Sequence, residues 1–97
     1  MSDLVNEAVA MLNARLGGKG WPDGRAKFVF RGEGAMMLDA AGARTGDEEA
    51  DVTLSASPET FRALFEGDLN PTAAFMTGRL SVDGNMGLAL RLSAVLG

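Results

Sequence analysis

The run Leu69-Asn70-Pro71-Thr72-Ala73-Ala74-Phe75-Met76-Thr77-Gly78-Arg79-Leu80-Ser81-Val82-Asp83-Gly84-Asn85-Met86-Gly87-Leu88-Ala89, continuing to Leu96, decides how this chain folds. Asn70 followed by Pro71 is a helix start: a side-chain oxygen for the first free amides, and a ring that fits the first turn. Gly78 stops that short helix. From Arg79 to Asp83 polar and apolar residues alternate, which puts Leu80 and Val82 on one face of a strand. Gly84 breaks the strand and Asn85 caps a closing helix. That helix carries Leu88, Leu92 and Val95 on one face and Met86 and Leu90 on nearly the opposite one, with only Arg91 and Ser93 polar inside it. A helix on the surface of a soluble domain shows one polar side. This one barely does, so it needs cover on two sides or an apolar guest. The spacing predicts that Leu88, Leu92 and Val95 pack on the body of the domain, while Met86 and Leu90 meet a lipid or a partner.

Working upstream, Ser57-Pro58-Glu59 repeats the helix-start signal, with an acid near the positive end of the dipole. Phe61, Leu64 and Phe65 form that helix's apolar stripe and Gly67 ends it. Val52 and Leu54 alternate with Asp51, Thr53 and Ser55 as a strand. Phe28 and Phe30 share a face, Gly32-Glu33-Gly34 turns the chain, and Met36 and Leu38 alternate with Ala35, Met37 and Asp39, which predicts a hairpin. A short third strand follows near Ala43 to Thr45. At the start, Ser2 is placed to cap a helix in which Val5, Ala8, Val9, Leu12 and Leu16 recur at helical spacing, ended by Gly17-Gly18. Trp21, just before the turn at Pro22-Asp23-Gly24, is placed to cover one end of the core. The charge run Asp47-Glu48-Glu49, with Asp51, reads as a solvated loop, because calcium ligation needs a shaped oxygen-rich loop whose spacing is absent. The order of helix, antiparallel strands, two helices, strand and helix predicts an α+β domain with helices on one face of a twisted sheet.

Composition limits the chemistry. The 97 residues make one domain, residues 1–97, and include no Cys, His or Tyr. That removes the thiolate nucleophile, the usual general base, the commonest metal ligand and the phenol acid together. The expectation is therefore a protein that is not an enzyme, with no catalytic residues, no metal and no cofactor. A net charge of -4 argues against nucleic acid and against strong electrostatic capture by anionic membranes. No signal peptide is visible, and no apolar run approaches the roughly 20 residues of a membrane span. The default address is the cytoplasm.

Gly67-Asp68-Leu69-Asn70-Pro71, Ala74-Phe75-Met76, Gly78-Arg79-Leu80, Val82 and Gly84-Asn85-Met86-Gly87-Leu88-Ala89 together resemble the sterol carrier protein 2 family. Ala50-Asp51-Val52-Thr53-Leu54 and Ser57-Pro58-Glu59 fit the same pattern, and the similarity covers roughly Arg25 to Leu96. The resemblance implies a five-stranded, mostly antiparallel twisted sheet covered by helices, enclosing a hydrophobic tunnel for a fatty acid, a fatty acyl-CoA or a sterol-like molecule. Met36 or Met37 falls where many members have Trp, and Thr77 where some have Gln. The chain ends Val95-Leu96-Gly97 rather than in the peroxisomal tripeptide of animal members, so no peroxisomal address is expected.

A lipid site without catalysis needs volume, an apolar lining and a few polar groups at its mouth. The candidate lining is Phe28, Phe30, Met36 and Leu38 from the hairpin, Phe65, Phe75 and Met76 from the middle helices, Leu80 and Val82 from the late strand, and Met86 and Leu90 from the last helix. Thr77 is a candidate head-group donor, and Arg79 or Arg91 a partner for a carboxylate. Taken singly, each lining residue also reads as ordinary core, and each arginine as solvent-exposed. The function expected is non-catalytic binding and carrying of a lipid, with transient membrane contact. The alternative is a homodimer or other self-associating module that uses the spare apolar face of the last helix.

Overall fold

The computed structural model describes residues 3–96. In chain order these form α1 (Asp3–Arg15), β1 (Ala26–Phe30), β2 (Gly34–Asp39), β3 (Gly42–Thr45), β4 (Val52–Ala56), α2 (Pro58–Phe65), α3 (Pro71–Met76), β5 (Leu80–Gly84) and α4 (Met86–Leu96). The cap expected at Ser2 lies outside the described residues. The strands make one five-stranded sheet in the order β3-β2-β1-β4-β5. Its pairs are antiparallel except β1 with β4, which run parallel. The architecture is thus the α+β, mostly antiparallel arrangement predicted above.

Register explains which side chains meet. Phe28 stands opposite Met36 and Leu54, Ala26 opposite Leu38 and Val52, and Leu54 opposite Val82. Because side chains alternate along a strand, these residues share one face, and the helices cover it. Val5, Ala8 and Leu12 of α1, Phe61, Leu64 and Phe65 of α2, and Leu92 and Leu96 of α4 join them in one buried core. Its centre is aromatic: Phe61 lies 4.5 Å from Phe30 and 5.8 Å from Phe28 between ring centroids, and 6.0 Å from Phe65. Those rings fill the middle of the layer between the sheet and the helices. Trp21 is buried at one end, as its position predicted.

Local chemistry sets the boundaries. Ser57 Oγ accepts from the Thr60 amide at 3.2 Å, and Asn70 Oδ1 from Thr72 at 2.8 Å, so both helix starts are capped as the sequence predicts. The edge strand β3 is closed from the side. Asn13 of α1 donates to the Ala43 carbonyl at 2.9 Å and accepts from the Ala43 amide at 2.8 Å, standing in for a neighbouring strand.

The acidic run is exposed but makes ion pairs across the sheet. Asp47 pairs with Lys27 at 2.8 Å, Glu48 with Arg44 at 3.3 Å and with Arg25 at 3.8 Å. The Glu48 amide also reaches Met37 Sδ at 3.5 Å. The segment is the solvated loop that the sequence predicts, with residues 47–49 exposed, and it passes over the reverse face of the sheet. It buries Met37 completely on the side opposite the core.

Candidate functional site

The site begins at the β4–β5 edge. Leu80 and Val82 lie opposite Ala56 and Leu54 and present their side chains to the helical layer. The chain then turns at Gly84, whose φ of +99° suits glycine and where a Cβ atom would lie 2.4 Å from the Asp51 carbonyl oxygen. The Asn85 amide donates to that same oxygen at 2.9 Å, and Asn85 Oδ1 accepts from the Leu88 amide at 3.1 Å. This fixes the direction in which α4 leaves the sheet. Leu92 and Leu96 are buried beneath α4, with Leu88 and Val95 half-buried against the core. Met86 and Leu90 remain 49% and 71% exposed. The two-faced helix read from the sequence is therefore observed.

Between α3, α4 and this sheet edge lies an apolar groove of about 120 Å³. Of the residues singled out from the sequence, Phe75, Leu80, Val82, Met86 and Leu90 come together in its wall. Sequence reading missed Leu54, Pro71, Thr72, Ala89, Ser93 and Leu96, which also line it. Two of these carried a signal: Ala89 and Ser93 continue the helical phase of Met86 and Leu90. Leu54 becomes a wall residue only once β5 is known to pair with β4.

The other expected residues lie elsewhere. Phe28, Met36 and Leu38 are fully buried in the core on β1 and β2, separated from the groove by β4. Phe30 and Phe65 instead border a second opening of about 230 Å³, between α1 and α2, with Leu4, Ala8 and Met11. Met76 is 78% exposed and is not part of the groove wall. The Thr77 hydroxyl donates to the Ala73 carbonyl of its own helix at 2.9 Å and lies outside the groove wall.

The groove has no charged side chain in its wall; its polar groups are the hydroxyls of Thr72 and Ser93. Ser93 Oγ donates to the Leu90 carbonyl at 2.6 Å, which leaves its lone pairs free to accept. Arg91 is 66% exposed and sits 3.7 Å from Asp23, and Arg79 is exposed at the start of β5. Asp39, on the remote β2–β3 hairpin, is the carboxyl whose titration is displaced: the Ala41 amide, and then the Arg44 guanidinium, hold it below its usual 3.8. Among the described residues no cluster of three or more acidic side chains is placed to hold a metal, and no helix is long and apolar enough to cross a membrane. The arrangement provides an apolar wall and hydroxyl groups, with no nucleophile–base pair aimed into the groove.

A profile of the SCP-2 sterol transfer family matches residues 5–97. The chain belongs to that family. The run from Gly67 to Ala89 had pointed there, and the fold agrees. Hydroxysteroid dehydrogenase-like protein 2 of Xenopus tropicalis is 39% identical over 79 residues, covering 73% of this chain and 19% of that protein. The chain therefore spans about a fifth of the length of such relatives, and the similarity concerns that portion alone. Among solved structures, the sterol carrier protein domain 2 of Helicoverpa armigera is 28% identical with a TM-score of 0.74, covering 96% of this chain and 85% of that one. Sterol carrier protein-2 of Aedes aegypti, solved in complex with the C16 fatty acid palmitate, is 22% identical with a TM-score of 0.75 over 100% of both chains. At that identity the likeness is one of fold.

Proposed function

We propose that this chain is a single lipid-carrying domain, non-catalytic, that holds one fatty acid, fatty acyl-CoA or sterol-like molecule in the groove beneath α4. The observation that carries the reading is the uncharged apolar wall of Phe75, Leu80, Val82, Met86 and Leu90, found in a member of a sterol transfer family. The palmitate complex of the Aedes aegypti protein supports a fatty acid as one suitable guest. A groove of about 120 Å³ is smaller than the roughly 300–1,000 Å³ of ligand pockets, so uptake requires α3 and α4 to move apart. Both are lightly held: Ala74 is the buried residue of α3, and Leu92 and Leu96 are those of α4.

The energetics suit such a site. Each methylene taken from water contributes about 0.8 kcal/mol, so a long acyl chain gains roughly 10 kcal/mol gross. After association and ordering costs, a micromolar affinity near -8 kcal/mol is attainable. Thr72 and Ser93 are the hydroxyls nearest an inserted tail, and Arg79 and Arg91 are the cations available to a carboxylate at the mouth.

Native mass spectrometry with added palmitate, together with displacement of a fluorescent fatty acid, tests the reading. One palmitate per chain is expected, and Val82→Trp, which fills the groove, should weaken binding about tenfold or more. A wild-type chain that forms no adduct and displaces no probe refutes the proposal. The exposed Met86 and Leu90 support a second reading, self-association through α4, which a strict monomer in concentrated solution by ultracentrifugation removes.

A further inference from the structure

The sheet has two edges. At one, Asn13 takes the outward amide and carbonyl of Ala43 on β3. At the other, β5 pairs with β4 and with no further strand among the described residues. The ladder fixes which of its groups are left over. The Asn85 amide donates to the Asp51 carbonyl at 2.9 Å, so residues 51 and 85 are a hydrogen-bonded pair, and such pairs alternate along antiparallel strands. Ser81 and Asp83 therefore bond to Ser55 and Thr53 of β4. The amides and carbonyls of Leu80 and Val82 point outward, with no backbone partner among the described residues. The far side of β4 agrees, since the Ala56 carbonyl accepts there from the Arg31 amide at 3.0 Å.

An open edge is a template for another strand, and this one is complementary to itself. Arg79 and Asp83 stand two residues either side of Ser81. Both are exposed, and neither makes an ion pair among the described residues. Outward groups must meet outward groups, so an antiparallel pairing of β5 with itself centres on Leu80, Ser81 or Val82. Centred on Ser81, Leu80 and Val82 of each copy exchange amide-to-carbonyl bonds with Val82 and Leu80 of the other. Arg79 then lies opposite Asp83 in both directions, an arrangement of opposite charges that stabilises a strand pair. Centred on Leu80 or Val82, Arg79 faces Ser81 or Asn85 instead. The ends of the strand match as well. Met76 precedes β5 and Met86 follows it, and they remain 78% and 49% exposed. Antiparallel pairing brings the Met76 end of one copy beside the Met86 end of the other, covering apolar surface that a single copy leaves in water.

We propose that two copies of this chain pair through β5, in the register that sets Ser81 against Ser81, so that two five-stranded sheets become one continuous sheet. The contact is the strand edge rather than the exposed face of α4. Alternation puts Leu80 of one copy beside Val82 of the other on the helical face. Both residues line the groove, so its wall continues across the axis and the second copy completes it. That consequence rests on the lipid-carrying reading, whereas the pairing itself does not.

Sedimentation velocity of the intact chain over a range of concentrations reads the dimer, and hydrogen exchange reads its place. The wild-type chain is expected to dimerise, with the amides of Leu80 and Val82 becoming protected as concentration rises. Arg79→Asp and Asp83→Arg each set like charges opposite one another. Each should weaken dimerisation about tenfold or more while circular dichroism stays unchanged. An equal mixture of the two variants should restore the dimer, because one then supplies both acids and the other both arginines. A wild-type chain that stays monomeric at millimolar concentration overturns the proposal. So does a dimer that both single variants still form, or a mixture that stays monomeric, since either assigns the contact to another surface. A dimer with the expected pattern in a chain that binds no fatty acid leaves the strand pairing standing and sinks the lipid-carrying reading. Fatty-acid binding by a strict monomer does the reverse.

Discussion

Arg15, the last residue of α1, holds the ends of two other helices. Its Nη1 donates to the carbonyls of Leu96 at 2.8 Å and Val95 at 3.1 Å, and its Nη2 to Phe65 at 2.6 Å. These oxygens sit at the C-termini of α4 and α2, where carbonyls lack partners within the helix and the dipole is negative. Replacing Arg15 with Met keeps the aliphatic stem and removes the fork. A hydrogen bond to a charged group is worth about 1.5–3 kcal/mol, but the guanidinium is partly solvated and its bond to Val95 is exposed, so the three together are discounted to about 2 kcal/mol. For a domain of this size that lowers Tm by roughly 8–16 °C. Urea unfolding followed by circular dichroism gives the free energy, with the slope expected to stay unchanged. Hydrogen exchange gives the location: amides of α4, anchored by Leu92 and Leu96, should accelerate more than those of β1 in the centre of the sheet. Arg15→Lys should recover less than half of the loss, because an ammonium cannot bridge both helix ends. A loss below about 0.5 kcal/mol in Arg15→Met, or equal acceleration of α4 and β1, refutes the account of Arg15 as the latch of the groove-forming helix.

Two glycines with similar φ should respond very differently to alanine. Gly84→Ala brings a Cβ to 2.4 Å from the Asp51 carbonyl oxygen, whereas Gly67→Ala meets nothing within 4 Å. Urea unfolding should show a loss of at least about 2 kcal/mol for the first and about 1 kcal/mol for the second; equal losses would mean that the β4–β5–α4 junction yields. Asp39→Asn should show pH-dependent destabilisation. The folded carboxyl titrates below its usual 3.8, held by the Ala41 amide and then by Arg44. Its stabilisation is therefore complete above 3.8 and is lost as pH falls through the lower folded value. Unfolding midpoints should differ at neutral pH, by under about 1 kcal/mol after screening, and converge in acid. A gap that persists below the folded value argues for a steric cause.

Element boundaries were legible because each is set by chemistry local to the chain. Ser57-Pro58, Asn70-Pro71 and Gly84-Asn85 start three helices through caps that need no distant partner. The two faces of α4 were legible for the same reason, being a matter of helical phase. The partners of the exposed acids at 47–48 were not. Lys27, Arg44 and Arg25 come within reach of them only through strand pairing. The burial of Met37 follows from the passage of that loop over it and from nothing in the local pattern.

The wall of the groove shows how far alternation alone can reach. Alternation assigns Met36, Phe28, Leu54 and Val82 to one face of the sheet, and all four are there. It cannot say that they follow one another across the sheet from β2 through β1 and β4 to β5. That order arises because β4 pairs parallel with β1, after a hairpin has already occupied the other side of β1. The late strand then has only the free edge of β4 to join. Gly84 sends α4 back over that edge, and so the groove takes Val82, Leu80 and Leu54 while Phe28, Met36 and Leu38 are left beneath α1 and α2 as core. A side chain's face is thus written in its neighbours two residues away, whereas its access to a ligand depends on a pairing 26 residues distant, between Ala26 and Val52.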